Sequence, residues 1–154
     1  MPNASAHTRS FALRCLLWLL LGGWIGAWLC FGLVVAPTAF QQDRPAAGKI
    51  VGATLRRFGT VEIACGLVAL GAALAMRRGG RWEKVFRPAT GVLMLGLTLS
   101  TVAWVYPEAA AARDLPDRFA FLHRLSVILV ASNILLGTAQ LLVSAARLRQ
   151  PDGA

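Results

Sequence analysis

Charge is scarce in this chain. Only 15% of its 154 residues are Asp, Glu, Lys or Arg, where a soluble domain carries about 25%. The gaps between charges are the informative part. No charged residue occurs from Cys15 to Gln42, from Ile63 to Met76, from Pro88 to Pro107 or from Leu125 to Ala146. A helix that crosses a bilayer needs about 20 mainly apolar residues, so the gaps predict spans at about 15–36, 58–76, 88–106 and 125–146. A hydrophobic content of 56% and a mean hydropathy of +0.59 exclude an ordinary soluble domain.

Histidine is nearly absent. His7 and His123 are the two present, and His7 lies in the polar tail 1–10. A haem held by two histidines of one chain is thereby excluded, although a His–Met pair is an accepted axial set. The three cysteines, Cys15, Cys30 and Cys65, are odd in number and show no CxxC spacing. They read as small buried hydrophobes, with soft-metal ligation as the alternative. No GxSxG, HExxH or phosphate-loop pattern is present, so no catalytic constellation and no cofactor are expected.

What charge there is runs basic, at +9. Nucleic-acid binding is one reading of that excess. The better one is the cytoplasmic bias of basic loops in membrane proteins. The hairpin "MRRGGRWEKVFRP" places Arg77, Arg78, Arg81, Lys84 and Arg87 between the second and third spans. With an even number of spans both termini then lie on the cytoplasmic side, adding Arg9, Arg14, Arg147 and Arg149. The opposite face holds Arg44, Lys49, Arg56, Arg57, Arg113, Arg118 and Arg124 among acids. All basic residues except Lys49 and Lys84 are arginine, which fits a GC-rich bacterial genome and an inner-membrane location.

The first apolar run is longer than the 7–15 residues of a signal sequence core, so it reads as an uncleaved span. Gly22 and Gly26 stand in it at GxxxG spacing, which lets helices approach closely. Packing within the chain and a homodimer face are the two uses. Pro37 is expected to end or bend this span. In the segment that follows, Ile50, Val51, Thr54, Leu55 and Phe58 recur at helical spacing. That pattern predicts an amphipathic interfacial helix that runs on into the second span. Pro88 suits the first turn of the third span. The expected architecture is all-α, a four-helix integral membrane bundle over 11–147, with polar tails at 1–10 and 148–154.

The fourth span, "FAFLHRLSVILVASNILLGTAQLLVSAAR", is interrupted by polar residues. At 100° per residue, His123, Ser126, Asn133, Gly137, Gln140 and Ser144 fall on one stripe. Polar groups in hydrocarbon need partners, so the stripe must face other helices or a wet cavity. Hydrogen bonds between helices are the plain use of Asn133, Gln140 and Ser144, and a polar pathway or ligand site is the alternative. Glu62, one turn inside the second span, is the sharper candidate, because an ionisable residue within a span marks a functional site by default. In the expected topology Glu62, Glu108, Arg113, Arg118, His123 and Arg124 converge at one mouth. An ion pair of Glu62 with an arginine competes there with a proton or cation site shared by Glu62 and His123.

Three passages carry a resemblance: the first span with its trailing "VVAPTAFQ", then "TLSTVAWVYPEAAAAR", then "FAFLHRLSVILVASNILLG". In this order the chain resembles the family named for domain of unknown function 4149, four-span membrane proteins related to transmembrane protein 205 of vertebrates. The matching positions are Pro37, Pro107, Glu108, His123, Ser126 and Asn133. The resemblance implies a link to platinum-drug export through the vertebrate relative. Soft ligands would then be expected, and Cys30, Cys65, Met76 and Met94 form no recognisable relay. The function expected is handling of a small solute, ion or soft metal, with a non-catalytic scaffold or accessory subunit as the alternative.

Overall fold

The computed structural model describes residues 4–42, 44–75 and 81–146. Met76, Arg77 and Arg78 of the basic hairpin, and Arg147, Arg149 and the rest of the C-terminal tail, lie outside the described residues. Among the described residues there are six α-helices, α1 (Ala4–Cys30), α2 (Ala36–Gln42), α3 (Arg44–Ala75), α4 (Arg81–Ser100), α5 (Tyr106–Ala111) and α6 (Pro116–Ala146). They form four rods long and apolar enough to cross a bilayer, Phe11–Gln41, Ala46–Ala75, Lys84–Ala111 and Pro116–Ala145. The chain is an all-α membrane helical bundle. The tail expected at 1–10 is helical from Ala4 onward.

Two of the rods contain a widened turn. A π turn, Phe31–Val35, joins α1 to α2, and another, Thr101–Val105, joins α4 to α5. In both, proline follows as the second residue after the π turn, at Pro37 and Pro107. A proline ring collides with the carbonyl four residues back and brings no N–H of its own. The wider turn absorbs that conflict. The Ala36 N–H donates to the Phe31 carbonyl and the Tyr106 N–H to the Thr101 carbonyl, each a step of five residues. The helix therefore passes through Pro37 to Gln42 instead of ending there. Pro88 likewise sits inside α4, which starts at Arg81 rather than at the proline.

The amphipathic segment expected after the first span is the opening part of α3 and joins the second span without a break. Ala47 is buried there, Val51, Leu55 and Phe58 are half-buried, and Lys49, Ile50 and Arg56 are exposed. The short α2 packs against it.

The rods form a ring in which α3 packs on α1 and α4, α4 on α6, and α6 back on α1. Leu17 and Leu21 of α1 meet Met94 of α4 across the middle. Val105, Ala112 and Leu122 make a second cluster where α5 meets α6. Large apolar side chains such as Leu19, Leu33, Leu135 and Leu142 point outward, as suits a lipid-facing surface. Because lipid is as apolar as leucine, close packing rather than water exclusion holds such helices together. Two glycines show it. A side chain at Gly59 would collide with Val102, and one at Gly137 would stand 3.2 Å from the Met94 Cε and 3.4 Å from the Ile25 Cδ1. Gly22 and Gly26 behave differently from the intrachain packing expected of them. Among the described residues, a side chain at either would meet no atom within 4 Å beyond its own helix backbone, so their spacing brings no other described helix close.

Candidate functional site

Glu62 stands on the inner face of α3 and is 8% exposed. Apolar neighbours alone would make a carboxylate there costly, by about 2.5–3.5 kcal/mol for an ionic side chain at mid-span on insertion scales. Two donors offset that cost. Trp24 and Trp28, one turn apart on α1, both direct their indole N–H groups to Oε1 of Glu62. A hydrogen bond to a charged group contributes about 1.5–3 kcal/mol, so the pair is of the size needed to hold the carboxylate. Trp28 is fixed in turn by edge contacts, with ring centroids 5.4 Å from Phe58 at 89° and 6.1 Å from Phe31 at 84°. Phe31 stacks on Phe58 at 6.5 Å. The aromatic cluster thus orients one of the two indoles and closes α1 against α3.

A cavity opens beside Glu62 among α1, α3, α4 and α6, with about 20 Å³ of room for the centres of water-sized molecules. Its lining combines Glu62, Cys65, Thr98 and Gln140 with Trp24, Met94 and small apolar residues such as Gly66 and Ala69. Gln140 is 2% exposed, and its Oε1 receives no hydrogen bond. One level along, the Asn133 amide donates to Thr98 Oγ1 at 3.0 Å, which ties α6 to α4, while Asn133 Oδ1 is left without a donor. Ser144 Oγ is a third unsatisfied buried oxygen on the same stripe. Each such orphan costs about 1–3 kcal/mol when dry. A polar cavity above about 10–15 Å³ holds a water molecule. The stripe of α6 therefore joins helices at Asn133 and faces a cavity at Gln140.

The remaining candidates sit apart from this cavity. His123 is exposed near the start of α6 and stacks on Phe119, with centroids 6.2 Å apart and planes at 7°. Ser126 donates to the His123 carbonyl at 2.7 Å, a bond within its own helix. Glu108 pairs with Arg118 at 2.5 Å, both partly exposed. The converging mouth is therefore divided. Glu62 takes indole partners instead of an arginine or His123, because α6 packs on α1 and α4 and not on α3. Tyr106, half-buried at the start of α5, also lies within electrostatic reach of Glu62. Among the described residues no three His, Cys, Asp or Glu side chains gather as a metal site. Cys15 and Cys30 are exposed, and Cys65 borders the cavity.

Sequence reasoning did not single out Trp24, Trp28 or Thr98 as site residues. The two tryptophans gave a signal, since they stand four apart within the first span and away from the membrane interface where tryptophans collect. Thr98 gave none, because a threonine in a span ordinarily bonds its own helix, as Thr90 does to Phe86 at 2.7 Å.

The family model described as "Domain of unknown function (DUF4149)" matches residues 19–118. The match takes in Trp24, Trp28, Glu62, Thr98 and Glu108, and stops short of Asn133 and Gln140. No curated protein and no solved structure matches the chain.

Proposed function

The chain belongs to the DUF4149 family, and from that premise we propose that it is a transporter-like membrane protein that handles a small solute or ion through the cavity at Glu62. The observation that supports this reading is a buried carboxylate bordering the same interhelical cavity as an unsatisfied amide oxygen, Gln140 Oε1. Buried ionisable groups in spans accompany solute and ion pathways. The test uses Cys65 as a native reporter. With Cys15 and Cys30 replaced by serine, a membrane-impermeant thiol reagent, too large for the closed cavity, is expected to label Cys65 in folded protein in liposomes as the carrier opens the cavity to one side. Labelling that occurs only after denaturation would mean that the cavity never meets water, and the reading would be lost.

A second reading, a non-catalytic scaffold or accessory subunit, draws on α1. Only 6% of the first apolar window is buried within the chain, and the Gly22–Gly26 face is open. A second copy or another membrane protein would fit against it. Native mass spectrometry from mild detergent distinguishes a monomer from a stable assembly. For placement we propose a bacterial inner membrane with both termini cytoplasmic, on the basis of the basic hairpin. A reporter fused at Ala154 tests this, and a signal from the opposite side of the membrane would reverse the topology.

A further inference from the structure

We infer that the cavity beside Glu62 binds one small monovalent cation, of the size and charge of sodium or ammonium. The inference rests on the carrier reading and narrows its ligand. Three features of the cavity argue for it. The first is charge: among the described residues Glu62 is the only formally charged one in the lining, so one positive charge neutralises the site. Divalent hard cations are usually held by several carboxylates, or by one or two carboxylates with several retained waters, and a cavity with room for about one water has no place for that hydration shell.

The second feature is size. About 20 Å³ of room for water-sized centres is little more than one water needs, so an organic solute with several heavy atoms does not fit. The third is the balance of donors and acceptors. Both indole N–H groups are spent on Oε1 of Glu62, and Oε2 receives no hydrogen bond among the described residues. Gln140 Oε1 is an unsatisfied buried acceptor, and Thr98 also lines the space, with its Oγ1 already accepting from Asn133. Oxygens without donors call for a cation or a donor-rich ligand. A bare metal ion of this size takes oxygen ligands directly, and ammonium offers N–H donors to the same atoms. Glu62 supplies the charge, and Thr98 and Gln140 supply neutral oxygens along the cavity wall.

The test is a salt titration of the full chain in detergent, prepared in choline chloride, with total ionic strength held constant. Sodium, ammonium and N-methylglucamine chlorides are added in separate arms, and tryptophan emission and the thermal midpoint are read together. Trp24 and Trp28 contact Glu62 directly, so a bound cation changes their surroundings. A saturable change with sodium or with ammonium, absent with N-methylglucamine, is expected. It should vanish in Glu62→Gln and need at least tenfold more salt in Gln140→Leu, with circular dichroism confirming that each variant is folded. A response to sodium alone identifies a metal ion, and one to ammonium alone identifies a protonated nitrogen. No ion-specific change in folded wild type, or an unaltered one in both variants, overturns the inference. Failure here with Cys65 still labelled from water leaves the carrier reading standing for another solute. Cation binding with Cys65 sealed sinks the carrier reading and keeps the cation site.

Discussion

Trp24→Phe removes one indole donor from Glu62 while leaving most of an aromatic ring in place. Trp24 takes no part in the ring contacts that hold Trp28 to Phe31 and Phe58, so its substitution reports chiefly the hydrogen bond. A bond to a charged acceptor gives an expected loss of about 1.5–3 kcal/mol. Trp28→Phe should cost the same plus part of an aromatic pair, about 0.5–1.5 kcal/mol. Removing both donors strips the carboxylate, so the double variant should fall by at least the sum of the two. The decisive background is Glu62→Leu, where no acceptor is left for either indole. There Trp24→Phe should cost under about 0.5 kcal/mol, which gives a coupling energy of about 1–3 kcal/mol across the cycle. The assay is unfolding in mixed micelles of mild detergent and dodecyl sulfate, followed by circular dichroism at helix wavelengths so that losing a tryptophan does not alter the signal. Equal costs of Trp24→Phe with and without Glu62 would refute the reasoning. The indoles would then be stabilising by packing alone, and the carboxylate would need another explanation.

Gly59→Ala should destabilise by about 1–3 kcal/mol by overpacking against Val102, read in the same unfolding assay. Gly22→Ala and Gly26→Ala, which meet open space, should be neutral or stabilising by up to about 1 kcal/mol from helix propensity. A loss of stability there instead would reveal a partner on that face. Asn133→Leu breaks the tie to Thr98 and should cost about 0.6–2 kcal/mol, with Thr98→Val adding little on top of it. Glu108→Gln should stay within about 1 kcal/mol of wild type, since its pairing with Arg118 is partly exposed. The small loss should shrink as salt is raised.

The spans could be read because charge is forbidden in hydrocarbon, and its gaps mark out the four rods directly. Glu62 stood out for the same reason, as the only charge between Arg57 and Met76. Its partners could not be read, because which helix a carboxylate faces depends on how the rods are arranged around the ring. Placement on one stripe put His123 and Gln140 together among the candidates. The stripe is continuous along α6, but its surroundings are not. His123 lies exposed near the start of the helix and Gln140 is enclosed by the bundle. Of the two outcomes expected at Pro37, the helix end does not occur, because a helix can widen by one residue upstream of the ring and continue. A pattern of types alone does not register that option.

The two widened turns stand at one depth. Phe31 stacks on Phe58, and the neighbouring Gly59 abuts Val102, so Phe31–Val35 and Thr101–Val105 flank the same stretch of α3. Two of the four rods thus carry a compliant joint at matching height, while α3 and α6 run past it without a break. Stiffness in this bundle is therefore uneven along its axis. Kinks in helices concentrate at proline and at π turns, so a bend of α2 or α5 against the rest of its rod would fall at that plane. Glu62 stands one turn of α3 beyond Phe58 and Gly59, so the widened turns and the buried carboxylate are neighbours along the bundle axis, a placement that neither the charge pattern nor the helix lengths required.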